Sequence, residues 1–193
     1  MTDKIIVIFV EGQTEIKFYK HICKQIQKDN KTQIKLIVKN LKGVGNYGKK
    51  AFSIIKNDIL PKNKKANIIV FCAYDTDVFE FQSKPAIDWQ KVKKDIRSLK
   101  IEDIYEIKVI RSIEDWFLLD LEGLCRYLRL KNVPKSIKGK SGYDKMKILF
   151  KQKQRIYQKG TSTSDFVEKL DYVKLLKLLE QEFKEFVEAC KAV

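Results

Sequence analysis

Residues 4–15 read KIIVIFVEGQTE: an apolar, β-branched run that passes without transition into Glu11 and Gly12. Apolar residues at consecutive positions, not only alternate ones, mark a central parallel strand covered on both faces. A turn at its end accounts for the glycine but not for the carboxylate before it. Three later segments share the pattern. TQIKLIVK (32–39) runs into the glycine-rich LKGVGNYG, ANIIVFCAY (66–74) into Asp75-Thr76-Asp77, and YEIKVIRS (105–112) into Glu114 and Asp115.

Helix-length segments separate these strands. After the first, Ile16, Tyr19, Cys23 and Ile26 recur near helical spacing, with Thr14 as a cap. KKAFSIIKNDIL (49–60) is stopped by Pro61, IDWQKVKKDIRSL (87–99) follows the third strand, and 113–128 puts Trp116, Leu119, Leu124 and Leu128 on one side. The alternation predicts an α/β fold over residues 1–130: an open, mostly parallel four-stranded sheet with helices on both faces. Residues 131–193 change character. A basic, turn-rich stretch precedes a predicted helix over 165–190, whose stripe is Phe166, Leu170, Val173, Leu176, Leu179, Phe183 and Phe186. This C-terminal extension is expected to pack on the sheet or on a second subunit.

Hydrophobic content of 44% beside 34% charged residues describes a globular chain, long enough at 193 residues for a substantial core. No apolar run approaches the roughly 20 residues of a membrane span. The first residues lack the pattern of a secretory signal, so a cytoplasmic setting is expected, with no membrane partner. The four cysteines are widely spaced, and Cys23 and Cys72 read as reduced core residues. One histidine, His21, argues against a zinc site and a histidine-based triad, and is itself read as structural.

The net charge of +15 is uneven. Residues 31–65 carry ten lysines against Asp58 alone, and 131–164 carry ten basic residues against Asp144 alone. Residues 66–130 hold ten basic and twelve acidic residues, so the excess is confined to two blocks. Blocks nearly devoid of acid favour a polyanion, and nucleic acid is the commonest one.

In open α/β sheets the ligand crevice lies beyond the carboxyl ends of the strands. Glu11, Asp75, Asp77 and Glu114 all follow strand ends and are expected to crowd one edge. Clustered carboxylates repel one another, and a hard divalent cation relieves them. Mg²⁺, with Mn²⁺ as a substitute, prefers oxygen ligands and retains exchangeable waters. Lysines from the basic blocks would hold flanking phosphates.

Val10-Glu11-Gly12-Gln13-Thr14-Glu15 and Tyr74-Asp75-Thr76-Asp77 resemble the motifs of a Toprim domain. That fold is shared by topoisomerases, bacterial primases, RNA-maturation nucleases and OLD-type nucleases. Arg111-Ser112-Ile113-Glu114-Asp115-Trp116-Phe117-Leu118-Leu119-Asp120 is similar to the RloB branch of OLD-like proteins, compact chains associated with phage defence. The resemblance covers about residues 4–130 and, more loosely, Gly142 to Gly160. It implies a Mg²⁺-dependent nuclease in which Glu11 is a general acid/base or metal ligand, Asp75 and Asp77 bind the metal, and Glu114 adds a further ligand. It also implies DNA or RNA as substrate, and a homodimer or a defence-system partner as the assembly.

Two alternatives stand beside it. GVGNYGKK (43–50) satisfies G-x-x-x-x-G-K between a strand and a helix, as in a P-loop, but Lys50 stands where Ser or Thr should meet Mg²⁺. In a milder form, backbone N–H groups around Gly43 and Gly45, with Lys49 as a catalytic cation, bind a substrate phosphate beside the metal. The other alternative is a non-catalytic nucleic-acid-binding module acting with a partner. In either nucleic-acid reading the contacts expected are Gly12, Gly43, Gly45, Lys49, Lys50, Arg111, Lys138 and Lys140, with Tyr47 stacking on a base.

Overall fold

In the computed structural model, which describes residues 4–77, 87–101, 103–159 and 162–191 (of 162–164 the backbone only), the four apolar runs are four strands. They are β1 (Lys4–Val10), β2 (Lys35–Asn40), β3 (Asn67–Asp75) and β4 (Ile104–Val109), all parallel in the order β2-β1-β3-β4. β1 is flanked on both sides and wholly buried from Ile5 to Val10, as its unbroken apolar run requires. Ile6, Ile8 and Val10 face one layer while Ile5, Val7 and Phe9 face the other.

The first layer is the thicker. It contains α1 (Gln13–Asn30), α4 (Ile113–Leu118), α5 (Leu121–Leu128), α6 (Gly142–Lys151), α7 (Tyr172–Leu178) and α8 (Glu180–Lys191). Phe18 of α1 lies against Trp116, Phe117 and Phe183, which joins the C-terminal extension to the sheet layer. The second layer is α3 (Trp89–Arg97) and a helical stretch over 44–62. That stretch is wound unevenly: 3₁₀ turns at Val44–Asn46 and Leu60–Lys62, π turns at Tyr47–Ala51 and Ile55–Ile59, and one α turn, α2 (Phe52–Ile54), between them. All four cysteines are buried and free. No helix among the described residues is long and apolar enough to cross a membrane.

Two long helices expected from periodicity are broken. The predicted helix 113–128 divides at Asp120, whose buried carboxylate accepts the Gly123 N–H at 3.2 Å and the Asp171 N–H at 2.8 Å. An N-cap carboxylate of this kind starts a new helix, and the break turns Leu119 outward. The predicted helix 165–190 becomes a 3₁₀ segment (Ser162–Lys169), then α7, capped by Asp171 through the Lys174 N–H, then α8. The interruption shifts the buried stripe. Tyr172 and Leu175 are buried, whereas Val173 is 60% exposed.

Candidate functional site

Strand order decides where the site lies. The chain leaves β1 for β2 on one side and returns to β3 on the other, so the carboxyl ends of β1 and β3 flank the point where the winding direction reverses. Such switch points open the crevice of a doubly wound sheet. Glu11 follows β1 and Asp75 closes β3, and the two meet: the Asp75 N–H donates to Glu11 Oε1 at 2.9 Å.

The surroundings of Glu11 explain the glycines. Gly12 precedes α1, and a Cβ there would lie 3.0 Å from Glu15 Oε1. Without it, Glu15 folds back and accepts the Glu11 N–H at 3.3 Å. Gly43, at φ 109°, lets the following loop curl onto the same residue, its N–H donating to the Glu11 carbonyl at 3.2 Å. Asp75 is fixed from the other side, because Oδ1 accepts the Ile113 N–H at 2.9 Å at the start of α4. The next residue, Glu114, is wholly buried and accepts the Tyr157 hydroxyl on Oε1 at 2.9 Å.

The Lys159 ammonium faces this acidic group. Lys159 Nζ stands 3.1 Å from Glu114 Oε2 and 3.6 Å from Asp75 Oδ2. Glu11, Glu15, Asp75 and Lys159, with Asn40, Lys42 and Gly43, line a cleft of about 650 Å³. The charge balance is unequal, and the carboxyls register it. Burial, then repulsion from Asp75 and Glu11, holds Glu15 well above the usual range. Burial pushes Asp75 up to about 8 despite Lys159, with Glu11, Glu114 and Asp77 adding repulsion. Glu11 is raised more modestly, burial being offset by the Asp75 N–H and Lys159. Lys159 is shifted upward, the attraction of Glu114 and Asp75 outweighing its own burial.

The donor set suits a hard cation. Asp75 Oδ2 and Glu114 Oε2 converge on a single positive group, and both are hard carboxylate oxygens. Among the described residues no three His, Cys, Asp or Glu side chains already stand in metal-holding geometry. The Lys159 ammonium is the positive charge the acids surround. Asp77 is half-buried beyond the end of β3: its charge acts on Glu11 and Asp75, and its N–H donates to the Arg111 carbonyl at 3.0 Å. Arg111, at φ 64°, donates its own N–H to Thr76 Oγ1 at 2.7 Å, so its backbone braces the Asp75–Asp77 turn while its side chain is exposed.

Other expected contacts fall elsewhere. Tyr47 does not stack on a base: it is fully buried, with its hydroxyl donating to the carbonyls of Phe9, at 3.2 Å, and Ala73. An aromatic residue in a glycine loop looks available in sequence, but here it pins the loop to β1 and β3. Tyr47→Phe is expected to lower stability by about 1–2 kcal/mol in urea denaturation and to leave oligonucleotide affinity unchanged. Lys49, Gly45 and Gly48 line a separate cleft with α3, of about 590 Å³, so Lys49 is not beside Glu11; Lys42 is the loop lysine in the acidic cleft. Lys50 Nζ donates to the Leu41 carbonyl at 2.8 Å. The P-loop cradle is not formed, because the loop turns its N–H groups toward Glu11: Gly43 to its carbonyl and Val44 to its carboxylate. Lys138 and Lys140 are exposed and line neither cleft. His21 stacks on Tyr172 at 5.1 Å, in keeping with a structural role.

Glu15, Tyr157 and Lys159 carry no role in the sequence reading. Glu15 had a signal, since it lies in the quoted motif four residues after Glu11. Comparison of the chain with protein-family models, with curated proteins and with solved structures finds no match.

Proposed function

We propose that this chain is a Mg²⁺-dependent nuclease of the Toprim/OLD-like type, cutting phosphodiester bonds of DNA or RNA, in a phage-defence setting. The observation that carries the proposal is the joining of Glu11 to Asp75 at the switch point, with Glu15 and Glu114 behind them and Lys159 facing them. Buried acids in surplus over their counter-charge favour capture of a divalent cation, and the lysine-rich blocks outside favour a polyanionic substrate.

Asp75 and Glu114 would hold the ion, with Glu11 and Asp77 beside it, and Mn²⁺ would serve in its place. When bound, the ion supplies charge neutralisation at the phosphoryl group and a more acidic water. The chain's own residues do the rest. Glu11, its carboxyl shifted upward by burial and lining the open cleft, is suited to exchange a proton with the attacking or leaving oxygen. Ile113 and Tyr157 orient Asp75 and Glu114 through one hydrogen bond each. Lys42 and Lys159 offer positive charge to the phosphates at the cleft wall.

Purified protein incubated with mixed single- and double-stranded DNA and RNA is expected to cut in Mg²⁺ or Mn²⁺, and to stop in EDTA. Cleavage that persists in EDTA contradicts the proposal. One observation favours the second reading, a nucleic-acid-binding module working with a partner: Lys159 already supplies the acids with a cation. Binding without cleavage in any divalent ion, unchanged by Glu11→Ala, would select it.

A further inference from the structure

A further groove includes Tyr157 in its lining. It has a volume of about 500 Å³ and lies between α6 and the turn that follows it, lined by Lys147, Ile148, Lys151, Arg155, Ile156 and Tyr157. Its chemistry is unusual in two ways. Its cations are not neutralised: among the described residues Lys147, Lys151 and Arg155 form no ion pair. Lys147 lies over the Tyr143 ring at 5.4 Å and Arg155 over Tyr127 at 5.1 Å, so aromatic faces hold the charges in place and leave them available. Its apolar residues are also displayed. Ile156 is 79% exposed and Ile148 39% exposed, side by side in a block with one acid among ten basic residues.

Tyr157 stands between this groove and Glu114. Its ring is buried among Tyr143, Phe150 and Phe166, its hydroxyl donates to Glu114 at 2.9 Å, and Lys159, two residues on, reaches Asp75 and Glu114. We infer that this groove binds an unpaired nucleic-acid strand, an inference that rests on the nuclease reading. Lys147, Lys151 and Arg155 take its phosphates, and Ile148 and Ile156 contact base faces. Exposed aliphatic side chains among bases gain most from faces that a duplex keeps stacked, which favours a single strand or a frayed end. An acidic polypeptide would satisfy the charges but offers the isoleucines less.

Fluorescence anisotropy in EDTA, with labelled oligothymidylate and oligouridylate of about 20 nucleotides and a blunt duplex of similar length, tests the inference. The combined Lys147→Gln, Lys151→Gln and Arg155→Gln variant should bind single strands at least about tenfold more weakly. The slope of log affinity against log salt should fall by about 2, roughly 0.7 for each lost phosphate contact. Ile156→Ser should weaken single-strand binding by about threefold or more and leave duplex binding unchanged, while Lys147→Arg with Lys151→Arg should retain affinity. Unchanged affinity and slope in the glutamine variant, when the wild type binds and cuts, would overturn the groove alone. A wild type that binds no oligonucleotide at low salt would remove the nuclease reading with it. Polyglutamate competing as well as the oligonucleotide would assign the groove to an acidic protein instead.

Discussion

Asp75→Asn is expected to reduce phosphodiester cleavage by roughly 10³-fold or more, about 4 kcal/mol of barrier, while making the metal-free protein more stable. The substitution is nearly isosteric. The retained carbonyl oxygen still accepts the Ile113 N–H, and the backbone N–H still donates to Glu11, so the geometry of the β3 end survives. What disappears is one negative charge at the centre of the cluster. Activity falls because the site loses its best-placed cation ligand.

Stability rises for the same reason, and its sign follows from linkage. The Asp75 carboxyl is pushed from 3.8 to about 8 in the folded chain. Below about pH 4 it is protonated both folded and unfolded, and contributes no pH dependence. From about pH 4 to 8 the folded chain holds a proton that the unfolded chain has released, so stability declines as pH rises; above about 8 the ionised, crowded form carries the full cost. Each pKa unit is worth about 1.4 kcal/mol, and a shift of this size is on the order of a few kcal/mol. Chemical denaturation in EDTA should show Asp75→Asn and wild type close together near pH 4 and separating toward pH 8. Cleavage within tenfold of wild type, or a variant less stable near pH 8, would contradict the account.

Mg²⁺ should raise the melting temperature of the wild type, most strongly near pH 8, where the cluster carries most charge. Glu11 and Glu15 are raised together with Asp75, chiefly by burial, so all three lose protons as the pH climbs and all favour a cation. At a hundred times its dissociation constant an ion stabilises the fold by about 2.7 kcal/mol. At about 2–4 °C per kcal/mol for a chain of this size, the rise is readily measured by calorimetry. Glu114→Gln should abolish most of it, because Glu114 and Asp75 present the two oxygens nearest the Lys159 ammonium. Lys159→Gln should enlarge it, since the ion then meets the acids without a competing charge. Equal shifts in wild type and Glu114→Gln would show that Mg²⁺ binds elsewhere.

Patterning was most legible where burial is complete. The unbroken apolar runs of β1 and β3 follow from being covered on both faces, and a charged residue directly after such a run stands out against them. That contrast singles out Glu11 and Asp75. The helices after β4 are harder to read. Amphipathic spacing continues smoothly across 113–128 and 165–190, and nothing local reveals that Asp120 turns to cap α5 and to accept the Asp171 N–H from a distant segment. Tyr47 misled for a related reason. A glycine-rich neighbourhood suggests exposure, yet the core cavity that receives its ring is built by β1, β3 and Trp89.

The linear order of residues was enough to establish the strands, the parallel sheet they form, the carboxylates at their ends and the two basic blocks, because each depends on local periodicity or on composition. Folding alone selected which of those groups meet. Lys159 lies 84 positions beyond Asp75 in the chain and 3.6 Å from it in space, a proximity made by α4 and α6 packing on the same sheet layer. Coulomb energy and desolvation depend on distance and burial, so the site's counter-charge and the elevated carboxyls came into view only with the packed chain.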